Sequence, residues 1–497
     1  MVEVKRVVPR GRSGLLPTLA MSIALVPALA GCILTADKLD PALDVPDAYG
    51  RTKGNPHAAL PPLAWWRSFR SAELTDLVEQ AQTANLDIAA AIARIVQADA
   101  LSRQAGAALL PNFNATATDT RSRASTNTGT NAISVTDRTN YNTALNASYV
   151  LDFWGRNRAL LRAAESTATA DRFDREVVTL ATLASVADTY FLVLEAQDRM
   201  RIANENLKAA ERILKVFQDR RAQGGGCPPG SPPATTGCGT DLDVAQQASL
   251  VAIQRASIPP LVQQADQNRA ALALLVGRAP EHIRIRGGSM YRLAIPRITP
   301  GLPSELLTQR PDIREAESKL AGADASVEAA RAAFFPTIQL TGQGGFSSAV
   351  LSNLFVQGSG FYSAAAGLAQ PIFDGGTLLG QLDQQKGVRE ELMADYRKAV
   401  ISAFTDVEKA LVAVQQLTLQ EQLQRQAVAE ARKAFDLSEA RLRDGIIDLA
   451  TLAQVQQTLF TQTDVLAVVR FNRLQAIVSL YQALGGGWLP AREGQAP

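Results

Sequence analysis

The sequence predicts an internally duplicated, mixed α and β membrane protein, and three observations carry that reading. Shifted by about 225 positions, residues 85–113 fall on 310–338 without a gap. Asp87 and Ile88 meet Asp312 and Ile313, Ala98-Asp99-Ala100 meets Ala323-Asp324-Ala325, and Pro111 meets Pro336. A repeat of this size makes the folding unit half the chain. In each half, segments of about ten residues alternate apolar and polar side chains, the period of a strand with two unlike faces. Two runs, 156–223 and 388–444, contain neither Gly nor Pro. As helix the first would be a rod of roughly 100 Å, whereas an average globular helix has about a dozen residues.

The elements follow in order. Lys5, Arg6, Arg10 and Arg12 precede an apolar stretch, 15–30, too short and too Pro-interrupted to span a bilayer. It ends in Leu29-Ala30-Gly31-Cys32, which resembles the bacterial lipobox. That resemblance implies a signal peptide over 1–31, a lipid such as palmitate on Cys32 and, with Ile33 next, sorting to the outer membrane. The alternative is a chance Cys in an ordinary signal peptide. Residues 32–64 read as an extended tether. The first repeat, 65–280, opens with a helix in which Leu74, Leu77, Val78 and Ala81 recur at helical spacing, continues as helix from about 86 to 108, and stops at Pro111. Two strands are expected over about 112–122 and 140–153. Tyr141, Leu145, Ala147, Tyr149 and Leu151 share one parity, and Asn142, Asn146, Ser148 and Asp152 the other. A long helix, 157–222, a Gly/Pro-rich insert, 224–240, and a return helix, 241–277, broken at Pro259-Pro260, complete it. An equatorial linker, 281–303, leads to the second repeat, 304–488: a helix, strands over about 337–348 and 360–373, a long helix, 377–444, and a return helix, 447–484. Val400, Phe404, Val407, Leu411 and Val414 follow the 4-3-4-3 spacing of a coiled-coil seam. Residues 489–497 form a tail.

Several functions are excluded on composition. The net charge is +2, giving no bulk case for nucleic-acid binding. Two histidines, His57 and His282, and three scattered cysteines cannot assemble a metal-ligand cluster. No Ser/His/Asp set, buried carboxylate pair or phosphate loop stands in a suitable context, so neither catalysis nor a cofactor is expected beyond the lipid on Cys32.

Strands of this length and alternation suit a membrane barrel, although a soluble hairpin packed on helices has the same pattern. If the strands cross a membrane, four cannot do so alone. Two edges would stay unpaired in hydrocarbon, at several kcal/mol for each backbone group, and the smallest closed barrels have about eight strands. The chain must then share a barrel with copies of itself, and its rods would gather around the same axis as a conduit.

The residues also carry a family resemblance. Trp65-Trp66-Arg67-Ser68-Phe69, Asn85-Leu86-Asp87-Ile88, Leu151-Asp152-Phe153-Trp154-Gly155-Arg156 and Leu242-Asp243-Val244 stand in order along the chain. Arg310-Pro311-Asp312-Ile313, Phe334-Phe335-Pro336, Pro371-Ile372-Phe373-Asp374-Gly375-Gly376 and the terminal Leu484-Gly485-Gly486-Gly487-Trp488 continue the series. Together they resemble the outer-membrane factor lipoproteins of resistance-nodulation-division efflux systems, the TolC/NodT family. The resemblance implies a homotrimer with a 12-stranded β-barrel in outer-membrane lipid, a coiled-coil α-barrel in the periplasm, and a mixed equatorial belt. It implies a periplasmic adaptor and an inner-membrane efflux pump as partners, and passive conduction of drugs or other small molecules. A type I secretion conduit for polypeptides shares this fold, and a structural periplasmic coiled-coil lipoprotein would share the helices.

The resemblance places the constriction at the periplasmic tip, where this chain departs from the family. Gln454 and Gln457 stand where relatives commonly carry Asp and Arg, so an anionic ring at that level is in doubt. Gate candidates are Arg443, Asp444, Asp448, Gln454 and, at the corresponding position of the first half, Gln246; the alternative is that all are solvated turn residues. The first-half tip holds the insert, with Cys227 and Cys238 inside it. In an oxidising periplasm these thiols should pair, stapling a loop that helps choose the adaptor; otherwise the loop is a tolerated insertion. Both thiols are expected to resist a thiol-reactive label in the non-reduced protein and to react after reduction. Two reactive thiols before reduction would contradict the staple.

Overall fold

A computed structural model describes residues 42–43, 46, 49–50, 61–123, 137–222, 240–298, 301–444 and 446–488. Cys32, His57, Cys227 and Cys238, with most of the tether and insert around them, lie outside the described residues. The helices are α1 (Ala72–Ala84), α2 (Leu86–Ala107), α3 (Arg156–Ala222), α4 (Asp241–Leu275), α5 (Pro311–Ala332), α6 (Thr377–Arg443) and α7 (Leu449–Ala483). The strands are β1 (Asn112–Arg123), β2 (Asp137–Leu151), β3 (Thr337–Ser348) and β4 (Gly360–Ala369). Each half therefore runs helix, strand, strand, long helix, return helix. The repeat is metric as well as ordinal: α2 and α5 each have 22 residues, α3 and α6 each have 67, and α4 and α7 each have 35.

Three expected boundaries are corrected, the first being that β2 spans Asp137–Leu151 rather than 140–153. The return helix is not broken at Pro259-Pro260; both prolines lie inside an unbroken α4. Proline's fixed φ is compatible with a helix, and the lost hydrogen bonds are a local cost. Buried Leu250, Val251, Gln254, Leu261 and Ala265 on both sides of the prolines hold the segment helical. The last strand ends at Ala369 rather than 373. Pro371 has no N–H to give a ladder, and Gln370 instead donates its side-chain amide to the Phe334 carbonyl at 3.1 Å.

The described residues form two compact units. One, residues 95–170 and 316–396, contains the sheet. Its strands follow the order β1-β2-β3-β4, all antiparallel, with β2 of the first half paired to β3 of the second. The register aligns Phe113 with Ala147, Leu145 with Gly344, Tyr149 with Leu340, and Ile338 with Leu368. The other unit, 43–94, 171–315 and 397–488, holds the cores. Trp65, Phe69, Leu74, Phe191, Leu194, Leu272, Met290 and Tyr481 belong to the largest. Ser71 caps α1, accepting from Leu74 N at 3.1 Å. An eighteen-residue stretch of α3 is long and apolar enough to cross a membrane by length and composition. The α3 residues Leu183, Val186, Phe191 and Leu194 are buried in this core.

Gly345 sets a sharp limit on the sheet. A Cβ there would lie 2.1 Å from the Thr143 carbonyl oxygen and 2.7 Å from Ala144 Cα. Gly345→Ala should therefore disturb the β2–β3 register and lower the Tm of the purified protein. Gly367→Ala, where the nearest atom is 4.0 Å away, should leave it unchanged.

Candidate functional site

Antiparallel partners project to the same side of a sheet, so the register decides which residues share a face. One face carries Phe113, Ala115 and Ala117 of β1, Tyr141, Leu145, Ala147, Tyr149 and Leu151 of β2, Ile338, Leu340 and Phe346 of β3, and Tyr362, Ala364, Ala366 and Leu368 of β4. The other carries Asn112, Asn114, Thr116, Thr118, Asn142, Asn146, Ser148, Gln339, Thr341, Gln343 and Ser363. The strands thus share one mainly apolar and one mainly polar surface; Thr143 and, toward the hairpin end, Asp119, Arg121, Arg123 and Asp137 fall on the apolar side, and Val150 and Phe361 on the polar side. The apolar face is bare: Phe113 is 63% exposed, Leu145 56%, Tyr362 87% and Leu368 68%. A bare apolar surface of this extent is a binding surface, here matched to lipid. At the strand ends that lead into the helices stands an aromatic group. Trp154 stacks on Phe335 at 4.7 Å, meets Phe153 edge-on at 4.9 Å, and donates Nε1–H to the Pro336 carbonyl at 2.8 Å. An apolar ring with a satisfied polar tip suits a membrane–water boundary.

At the far ends of the rods, Ile213 and Phe217 of α3, Phe435 and Leu442 of α6, and Leu449, Leu452, Leu459 and Phe460 of α7 form one core, with Val244 of α4 packed against it. The return helices start alike. Thr240 caps α4: its Oγ accepts from Asp243 N at 3.2 Å, and Asp243 accepts from Thr240 N at 3.0 Å. Asp448 caps α7, accepting from Thr451 N at 2.8 Å. Thr-x-x-Asp in one half and Asp-x-x-Thr in the other make the same cap. The Thr451 hydroxyl and N–H hold the Asp448 carboxyl below the usual carboxylate range. Asp448, half-buried, is thus committed to the helix start. Arg443 and Asp444 at the end of α6, Gln454 on α7 and Gln246 on α4 are exposed. Gln246 and Gln454 stand at the same place in their helices, two turns beyond the caps. Arg221 at the end of α3 pairs with Asp241 at 2.6 Å.

A third polar assembly was not anticipated from the sequence. Residues 281–298 carry short 3-10 turns and little regular pairing, so their backbone groups need partners. Glu73 accepts from the Arg286 and Gly287 N–H groups at 2.7 and 3.1 Å. Asp198 accepts from Met290 N at 2.9 Å and Ser289 Oγ at 3.0 Å. Arg470 donates to the Leu293 carbonyl at 3.2 Å and to Glu421 at 3.1 Å. Glu421, only 1% exposed, also receives Arg473 at 2.7 Å and Arg425 at 2.6 Å. Burial pushes its carboxyl up, but Arg473, Arg425 and Arg470 outweigh burial and hold it below the usual range. Asp188 on α3 is opposite in sense: burial pushes it to about 7, partly countered by a hydrogen bond with Gln475. The available signal was a charge inside an apolar helical stripe, which Asp188 and Arg470 both are. No group of three His, Cys, Asp or Glu among the described residues could hold a metal ion.

Residues 77–226 and 302–486 match the family model described as outer membrane efflux protein. The pyoverdine export outer membrane protein OpmQ of Pseudomonas aeruginosa is 38% identical over 472 residues, 94% of this chain and 96% of that one. The toluene efflux pump outer membrane protein TtgF of Pseudomonas putida is 32% identical over 482 residues, covering 94% and 96%. Among solved structures, a membrane protein from Pseudomonas aeruginosa superposes with a TM-score of 0.82 at 30% identity, over 93% of this chain and 99% of that one. The open state of the Neisseria gonorrhoeae MtrE outer membrane channel does so with a TM-score of 0.81 at 28% identity, over 94% and 100%.

The charges of the helical unit carry two expectations. Glu421→Gln leaves Arg470 buried beside two further arginines and should destabilise the fold by about 3 kcal/mol, read by denaturant unfolding. Because the folded protein holds the Asp188 proton more tightly than the unfolded chain does, stability should fall as pH rises from the usual carboxylate range to about 7. Asp188→Asn should flatten that stretch of the Tm-against-pH curve; an unchanged slope would assign it to other groups.

Proposed function

The chain belongs to the outer membrane efflux protein family, and from that premise we propose that three copies close their sheets edge to edge, β4 of each onto β1 of the next, into one barrel. The carrying observation is the register. It puts most of the large apolar residues of the four strands on one side and most of the Asn, Gln, Ser and Thr residues on the other, and leaves β1 and β4 as the two edges. Closure satisfies both edges at once, turns the apolar face to lipid and lines the pore with polar groups that are uncharged except Arg138 at the end of β2. Such a lining hydrates a small solute without holding it, which suits passive conduction.

In this reading the pore serves a tripartite pump. A periplasmic adaptor and an inner-membrane pump deliver the cargo, and the channel supplies no energy and no catalysis. The cargo is small molecules, the class named for the pyoverdine- and toluene-exporting relatives. A lipid on Cys32 adds a second hold on the outer membrane. At the tip, Arg443, Asp444, Gln246 and Gln454 are exposed where neighbouring copies and the adaptor would meet, with Asp448 fixing the turn beneath them. Gln246 and Gln454 make that ring neutral.

Full-length protein purified in detergent should have the native mass of a trimer and open discrete conductances in a planar bilayer. Deleting its gene should sensitise the cell to small toxic molecules while polypeptide secretion continues. A monomer without conductance would overturn the channel reading, and loss of polypeptide secretion alone would turn it into a secretion conduit.

A further inference from the structure

The two hairpins of the sheet end differently away from the helices. On the first, the register aligns Asp119 with Tyr141 and Tyr141 with Ser348, the last residue of β3. β2 continues beyond that level to Asp137, about 14 Å further at the usual rise per residue. All the charges of this hairpin's strands, Asp119, Arg121, Arg123, Asp137 and Arg138, lie at or beyond that level. The second hairpin stops there, and from 332 to 373 the chain has no charged residue, turn included.

The β3–β4 connection, 349–359, is built as apolar surface. Val350, Leu351, Phe355 and Val356 are exposed, Phe355 at 72% and Leu351 at 62%. Phe355 meets Phe346 edge-on at 5.3 Å, and Phe346 belongs to the apolar face of the sheet. The connection is therefore continuous with that face. Much of its backbone is satisfied internally. Asn353 N donates to Val350 O, Leu354 N to Leu351 O and Ser359 N to Val356 O, and the Ser359 hydroxyl donates to Asn353 O at 2.7 Å. Val350 N donates to Ser348 Oγ at 3.2 Å, and Ser347 N to Ser359 O at 2.8 Å. These bonds lower the cost of bringing the connection's side chains against acyl chains, since fewer of its backbone groups depend on water.

We propose that residues 349–359 are a lipid-embedded collar: Leu351, Phe355 and Val356 contact acyl chains of the outer leaflet, while the first hairpin alone emerges into water. This rests on the barrel reading, because it extends the lipid-facing surface past the ends of β3 and β4.

The test uses the full chain with Cys227→Ser and Cys238→Ser, reconstituted into phosphatidylcholine vesicles with or without doxyl-labelled lipid. Single cysteines, Phe355→Cys, Val356→Cys and, on β4, Tyr362→Cys, carry an environment-sensitive fluorophore, and the signal of the cysteine-reduced parent is subtracted. Labels at 355 and 356 should be quenched by lipid-borne doxyl about as strongly as the label at 362, and little by aqueous iodide. Quenching by iodide instead would place the connection in water and overturn the proposal. Quenching by neither would mean that a neighbouring copy covers it, which also overturns the proposal. If 362 itself escapes the lipid quencher, the barrel reading fails first.

Discussion

The structure depends on one constraint: backbone N–H and C=O groups have no alternative partner in hydrocarbon. A four-stranded sheet satisfies its interior ladders and leaves β1 and β4 bare on their outer sides. An unpaired edge in lipid costs several kcal/mol for each group, far beyond the marginal stability of a fold. The sheet is therefore complete only as a fraction of a larger closed one. Its two unlike faces follow from the same constraint. Once the edges are closed, one face must meet lipid and the other a lumen, and the register separates most of the Leu, Phe and Tyr residues from most of the Asn, Gln and Thr residues accordingly.

Duplication solves the matching problem that such an assembly poses. Strands that close a ring must share a tilt, and helices that continue from them must end together. Equal lengths of 22, 67 and 35 residues in the paired helices keep the two halves in step. Even the caps correspond, Thr240 and Asp448 each accepting from the N–H three residues further on. The halves diverge where nothing forces them to match: in the residues between α3 and α4, in the linker 281–303, and in the charged and uncharged ends of the two hairpins.

Much of this was legible in the sequence because it is local. Alternation in Tyr141–Leu151 and the Gly- and Pro-free runs report on neighbouring residues; they locate the rods within a residue or two and the strands within about four. What was not legible is long-range. Nothing near Ser348 says that it pairs with Tyr141, two hundred positions away. Pro259-Pro260 reads locally as a break, and only the buried side chains around it explain why α4 continues. Asp448 reads as a free carboxylate until its bond to Thr451 N shows it to be a cap. Glu421 and Arg470 lie on different helices, and their pairing had no sequence signature beyond a charge where the stripe should be apolar.

That pairing explains how an irregular segment can lie over a core without losing its shape. The linker's Met290, Leu293 and Ile283 are buried with Trp65 and Phe191, but apolar contacts alone do not fix a backbone. Its N–H and C=O groups would otherwise lose water without gaining a partner. Carboxylates from α1 and α3 take the N–H groups, and Arg470 takes the carbonyls of Met290 and Leu293. Glu421 then balances Arg470, and Arg425 and Arg473, partly in water, supply its remaining bonds. A buried ion pair adds little net stability compared with apolar packing. Its contribution here is geometric, because an arginine fork that must meet both a carboxylate and two carbonyls has one position. The linker is thereby held in one place against three helices, which a purely apolar contact would leave free to slide.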